Sequence, residues 1–227
     1  MEIFNQVILV DKPAGWTSFD VVAKIRSKIR RSYTEQGAKP TKRQLRVGHA
    51  GTLDPFATGL LVILLGDATK KATEFLKLDK VYEATIRLGA TSSTGDPEGD
   101  ITNNDVRDIP SRAQIEKTTQ SFIGKIIQIP PAFSAIKING QRAYKLARAG
   151  HAVEMPSREV EIYSIEPLEY SYPVLKIRTH VSSGTYIRTL AEDIGKSLAT
   201  GAYTAELRRT NIGQYDIKDA LTPPFDQ

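Results

Sequence analysis

The loop Gly48-His49-Ala50-Gly51-Thr52-Leu53-Asp54-Pro55-Phe56-Ala57-Thr58-Gly59 is where this sequence best concentrates residues able to do chemistry. Its three glycines and one proline free the backbone and then fix it, which makes a shaped loop rather than a loose one. Asp54 is its only carboxylate. On composition alone the commoner role of such an aspartate is to cap a turn. The alternative is a carboxylate at the edge of the apolar run 60–65, aimed into a cleft. A free aspartate titrates near ~3.9 and is ionised at neutral pH, so it serves as a nucleophile or as a base. Other chemistries find little support. The chain has no Cys, which excludes disulfides, thiolate zinc and a cysteine nucleophile. His49, His151 and His180 are far apart and show no HxxxH or HExxH spacing, against a zinc hydrolase. Gly195-Lys196-Ser197 lacks the first glycine of a phosphate loop, Leu190 standing in its place, and no GxGxxG, GxSxG or HRD pattern occurs.

Charge is distributed unevenly. Residues 24–46 carry nine basic side chains against the single acid Glu35, a local +8 in a chain whose net charge is +5. Residues 137–148 add Lys137, Arg142, Lys145 and Arg148 without an acid, whereas 94–108 is acidic. Two acid-poor basic segments favour a polyanionic partner, because each neutralised phosphate releases condensed counterions. His49, with no partner adjacent in sequence, reads as structural or as an RNA contact rather than a base.

The elements that must position these groups follow from periodicity. Residues 3–10 read as a strand ending at the turn 11–15, and Thr17 or Ser18 caps a helix with Phe19, Val22, Ile25 and Ile29 on its apolar face. The basic linker 30–46, with Gly37 and Pro40, reads as a mobile surface loop. A buried strand at 60–65 and a short helix through Ala68, Ala72, Phe75 and Leu76 come next. Tyr82, Ala84, Ile86 and Leu88 alternate along the strand 81–88. An acidic loop (91–105) precedes a helix capped by Ser111, a strand (124–129), the Pro130-Pro131 break and a short basic helix (141–149). Strands 159–166 and 174–181, a helix 185–198 and a loosely alternating tail complete the chain. At 227 residues with this mixture, the fold class is α+β, with a mixed, mostly antiparallel central sheet flanked by helices. The longest apolar run, 60–65, is too short to cross a bilayer, and the N-terminus lacks the pattern of a secretory signal. A soluble, cytoplasmic, monomeric protein is the expectation.

The run VGHAGTLDPFATGLLVILLGDATK (47–70) closely resembles the catalytic segment of the bacterial tRNA pseudouridine-55 synthases, the TruB-type family. Further blocks similar to that family stand in its order: LVDKPAGWTSFDVV (9–22), DKVYEATIRLGATSSTGD (79–96), QIPPAFSAIKINGQRAYKLARAG (128–150), SSGTYIRTLAEDIG (182–195) and AELRRT (205–210). The resemblance implies a pseudouridine synthase fold: a single catalytic domain over 1–227 with a thumb-like RNA-binding insertion at about 129–155. As a departure from the many members that continue into a C-terminal PUA domain, no such domain is expected here, the sequence ending at Gln227. It implies isomerisation of the T-loop uridine of tRNA, position 55, without cofactor or metal, on the T-arm stem-loop as partner.

The same resemblance assigns roles. Asp54 matches the essential aspartate, Tyr82 the tyrosine that stacks on the target base, and Arg188 the arginine that pairs with the aspartate. Tyr186 and Leu207 match positions lining the uracil pocket, and His49 a histidine contacting RNA near the flipped nucleotide. Arg142 and Lys145, with Arg148, recur at three-residue steps on the short basic helix and would face a phosphate backbone. The competing readings are the same chemistry on another structured RNA, and a non-catalytic RNA chaperone or binding module.

Overall fold

The apolar run 60–65 can shed water only if both faces of its strand are covered, and that strand organises the first of two units. The computed structural model describes residues 5–134, 136–138 and 140–223. The first unit comprises Met1–Lys80 and Arg208–Gln227, the second Val81–Leu207. Residues 3 and 4 of the expected first strand, and 135 and 139 of the expected insertion, lie outside the described residues.

In the first unit, β1 (Val7–Lys12), α1 (Ser18–Glu35), β2 (Val47–Ala50), β3 (Thr58–Leu65), a 3₁₀ turn (Gly66–Lys71) and α2 (Ala72–Leu76) follow in order. β3 pairs antiparallel with β1, Val10 opposite Leu61, and with β2, His49 opposite Ile63. Leu61, Ile63 and Leu65 pack with Val21, Val22, Ile25 and Ile29 of α1. Leu60, Val62 and Leu64 pack with Ala68, Phe75 and Ile212. α1 opens on a capping box: the Thr17 hydroxyl accepts the Asp20 N–H at 3.1 Å and the Asp20 carboxylate accepts the Thr17 N–H at 2.8 Å. Phe19, expected on the apolar face, is 61% exposed. The buried arc runs through Val21, Val22, Ile25 and Ile29, leaving Phe19 on its flank beside Arg26, whose guanidinium lies 6.0 Å from the ring centroid.

The linker 30–46 departs from expectation. α1 continues to Glu35, and the end of the linker is tied down rather than mobile. Arg26 donates to the carbonyls of Leu45 (3.2 Å) and Val47 (3.1 Å). Arg43, Arg46 (3.6 Å) and Lys70 (3.5 Å) converge on Asp67.

The second unit holds β4 (Lys80–Leu88) from its second residue on, β5 (Ala90–Ser92), β6 (Ile101–Asn103), α3 (Arg112–Gln120), β7 (Gly124–Gln128), β8 (Lys137–Ile138), β9 (Gln141–Arg142), α4 (Ala143–Arg148), β10 (Arg158–Ser171), β11 (Val174–Val181) and α5 (Ile187–Ser197). β12 (Ala202–Ile212) crosses the boundary in sequence, and β13 (Tyr215–Asp216) follows in the first unit. Strand order in the second unit is β4–β11–β10–β7, with β10 antiparallel to both neighbours. In the first unit β12 joins β3 in parallel, Arg209 opposite Gly59. The sheet is therefore mixed and mostly antiparallel, and the protein is α+β. The acidic loop contains the hairpin β5–β6, and the tail read as loosely alternating is the eleven-residue strand β12. Among the described residues no helix is long and apolar enough to cross a membrane.

Candidate active site

Asp54 stands in the turn between β2 and β3, and the first unit fixes that turn through its backbone. The Ala57 N–H donates to the Asp54 carbonyl at 3.1 Å, with Pro55 at the position where a fixed φ favours such a turn. One residue before Asp54, the buried Ser18 hydroxyl accepts the Leu53 N–H at 2.9 Å and donates to the Leu53 carbonyl at 3.3 Å. One residue after, the Pro55 carbonyl accepts from the Gly15 N–H (2.8 Å) and from Lys12 Nζ (3.3 Å). Lys12 is fully buried at the end of β1, and its ammonium also donates to the carbonyls of Pro13 (2.9 Å) and Trp16 (2.6 Å). A buried lysine is tolerated here because carbonyl oxygens replace its water.

The far end of the loop is held from β12. Arg209, buried, donates Nε–H to the Leu60 carbonyl (2.8 Å) and Nη2–H to the Gly51 carbonyl (2.9 Å). Gly59, at φ +105°, brings its backbone against β12 so closely that a Cβ would lie 2.3 Å from the Arg209 carbonyl oxygen. Only glycine fits there. Arg208 forks onto Asp11, at 2.7 and 3.1 Å, which secures the end of β1 to the same strand. His49 is half-buried on β2, and Asp54 itself is half-buried.

The second unit carries the other expected residues. Tyr82 is buried on the inward face of β4, as the alternation predicts. Arg188, in the first turn of α5, is 2% exposed, and its Nη1–H groups donate to Asp96 Oδ2 (2.9 Å) and to the Thr94 carbonyl (2.9 Å). Its Nη2–H donates to the Phe133 carbonyl at 2.9 Å. Asp96 is 3% exposed, and its other oxygen accepts from Thr94 Oγ1 (2.5 Å) and the Glu98 N–H (3.0 Å). Arg188 is thus hydrogen-bonded through both Nη groups and Asp96 through both oxygens, the kind of satisfaction under which buried charges are tolerated. Tyr186 is the N-cap of α5, its ring under the Arg158 guanidinium at 4.7 Å, and Leu207 is buried near the end of this unit's share of β12. Arg142 is the N-cap of α4, one residue outside the helix, and Lys145 lies exposed within it. The expected helix 141–149 is six residues long, Ala143–Arg148.

Asp54 and His49 therefore belong to the first unit, and Tyr82, Tyr186, Arg188, Leu207, Arg142 and Lys145 to the second. Sequence reading missed Lys12, Asp96 and Arg209, and saw Ser18 only as a candidate helix cap. Lys12 had a signal, a lysine closing an apolar strand. Asp96 had none, being one acid among several in a loop read as solvated. Among the described residues no group of three His, Asp or Glu side chains could hold a metal ion.

Comparison with known proteins extends these observations. Residues 39–187 match the family described as TruB family pseudouridylate synthase (N terminal domain). Residues 188–223 match the tRNA pseudouridylate synthase B C-terminal domain. The chain is 43% identical over 221 residues to the tRNA pseudouridine synthase B of Parabacteroides distasonis, covering 97% of this chain and 91% of that protein. It is 45% identical over 219 residues to the Bacteroides fragilis protein of the same name, covering 96% and 91%. Among solved structures it resembles a chain of a Cbf5-Nop10-Gar1 complex, with TM-score 0.69 and 31% identity, covering 97% of this chain and 52% of that one. It also resembles a chain of an H/ACA RNP bound to a substrate RNA containing 2'-deoxyuridine, with TM-score 0.67 and 30% identity, covering 96% and 51%. This chain spans about half the length of those two solved chains.

Proposed function

The chain belongs to the TruB family of pseudouridylate synthases, and from that premise we propose that it isomerises the T-loop uridine of tRNA, position 55, to pseudouridine. The reaction breaks the N1–C1′ bond, turns the uracil and forms a C5–C1′ bond. The proton lost from C5 is balanced by one gained at N1, so nothing is oxidised or reduced. We assign the catalytic carboxylate to Asp54, acting on the ribose of the extruded nucleoside, the stacking ring to Tyr82, and the active-site guanidinium to Arg188. His49, Tyr186 and Leu207 are assigned to the flipped nucleotide and its pocket. Extrusion costs roughly a few kcal/mol, of which stacking on Tyr82 returns about 1–3 kcal/mol.

The observation that carries this reading is the hold on Asp54. The peptide units before and after it are bonded by Ser18, Gly15 and Lys12, and Arg209 grips the same loop. A binding module needs no such fixation of a single acid, whereas transition-state chemistry does. RNA as partner accords with the substrate RNA bound by one structural relative, the H/ACA RNP. The proposed contacts are the T-arm stem-loop on segment 129–155, through Arg142 and Lys145, and phosphates on the cluster Lys42, Arg43, Arg46 and Lys70. We propose a single catalytic domain over 1–227, acting as a cytoplasmic monomer without cofactor.

The decisive experiment is single-turnover conversion of a tRNA transcript, read by a chemical label for pseudouridine, with wild type and Asp54→Asn. The variant is expected to lose isomerisation while its tRNA affinity stays within a few-fold. Near-normal turnover by Asp54→Asn overturns the assignment, and conversion of another RNA hairpin in preference to the T-arm redirects the substrate.

A further inference from the structure

β7 ends where hydrogen bonding must stop, because Ile129 is followed by Pro130 and Pro131, which have no N–H to donate. Its last residue, Gln128, is 1% exposed and turns its side chain sideways to the start of α5. Its Oε1 accepts the Tyr186 N–H at 2.8 Å and its Nε2–H donates to the Tyr186 carbonyl at 3.0 Å. A donor on one side and an acceptor on the other fix the orientation of the amide, since turning it over would break both bonds. Tyr186 has no side-chain bond to cap α5, so this carboxamide does for its backbone what a neighbouring strand would do.

Two further bonds tie the same stretches together. Thr189 Oγ1–H donates to the Ile129 carbonyl at 3.4 Å, and Arg188 Nη2–H to the Phe133 carbonyl at 2.9 Å. Residues 128–133 and the first turn of α5 are thus laced at three points, all within one unit, and the innermost is the guanidinium that also holds Asp96. We infer that Gln128 is a positioning residue: through Tyr186 it sets the first turn of α5, and so fixes Arg188 against Asp96 and the Phe133 carbonyl. This rests on the proposed role of Arg188 in catalysis. Buried satisfaction of a helix start would explain the two bonds to Tyr186. It would not require the arginine two residues on to take its third acceptor from the segment that Gln128 introduces.

The test uses the full chain with Gln128→Glu, which keeps the length but lacks the donor, and Gln128→Met, which lacks both groups. Each is expected to lower the single-turnover rate at saturating tRNA by about 10–100-fold, the effect of a small misplacement at a reacting centre. Affinity for tRNA should stay within about threefold on the same ground, since the change lies in orientation and not in contact. The side-chain resonance of Arg188 in ¹⁵N-arginine-labelled protein, identified by its loss in Arg188→Lys, should shift in both. An unchanged rate per folded molecule, an unmoved Arg188 resonance, or failure of both variants to fold assigns Gln128 to stability alone and overturns the inference. Full activity of Arg188→Lys defeats the catalytic reading of the arginine instead, and leaves the resonance shift to report on the clamp.

Discussion

The Ser18 hydroxyl bonds both polar groups of Leu53, accepting its N–H at 2.9 Å and donating to its carbonyl at 3.3 Å, across 35 residues of sequence. One side chain at the start of α1 thereby fixes the residue that precedes Asp54. In Ser18→Ala both backbone groups are left buried without that partner, at a cost of about 1–3 kcal/mol. Denaturant unfolding should show this loss, and single-turnover rate at saturating tRNA should fall further than affinity does.

Asp96 is the carboxylate of a buried ion pair. Asp96→Ala removes the carboxylate from this pair, and breaking a buried ion pair by removing one partner costs about 3–5 kcal/mol. Equilibrium unfolding measures the cost, and Asp96→Asn, which keeps the shape and one acceptor, should recover part of it while isomerisation remains impaired.

The basic cluster gives a salt-dependence prediction with a refinement from the structure. Reversing Lys42, Arg43 and Arg46 should weaken tRNA binding and flatten the plot of log affinity against log salt, by roughly 0.7–0.9 for each phosphate no longer neutralised. Asp67 already occupies Arg43, Arg46 and Lys70, so Asp67→Asn should tighten binding and steepen the slope. A slope indifferent to both changes would mean that the cluster is only solvated.

Lys80 offers a pH dependence. Burial, and then the charge of Arg209, lower its pKa to about 8 against the opposing pull of Asp79. Its Nζ–H groups donate to the carbonyls of Leu76 (2.8 Å) and Leu78. Between about 8 and the ordinary lysine value of 10.5 the unfolded chain binds the extra proton, so this group raises stability as pH rises through that window. Relative to Lys80→Met, the wild type should gain on the order of 1–3 kcal/mol between pH 7 and pH 10, read from denaturant midpoints at each pH.

What can be read from residues alone is whatever one element decides. The six-residue apolar run requires a strand covered on both faces, and β3 is that strand. The alternation at 81–88 puts Tyr82 inward, where it is. The shaped loop around Asp54 is legible from its glycines, though the reason Gly59 must be glycine, the approach of Arg209, is not. Bonds between distant segments are invisible in sequence. Asp96 is indistinguishable there from the exposed acids beside it, and only the arrival of Arg188, 92 residues later, makes it a buried partner. Apolar character alone misplaces Phe19, because it ignores the width of the buried arc. Composition alone makes the linker mobile, because its anchor, Asp67, lies 24 residues beyond Arg43.

The parallel seam of β12 on β3 has a consequence for biosynthesis. Arg209 reaches back 158 residues to Gly51, and the Leu221 N–H donates to the Leu9 carbonyl at 2.9 Å. A ribosome elongating at about 5–20 residues per second exposes the loop many seconds before the strand that grips it has emerged. A nascent chain arrested short of Arg208 has every residue of the Asp54 turn and none of the clasp on its far side, so competence waits until β12 has left the ribosome.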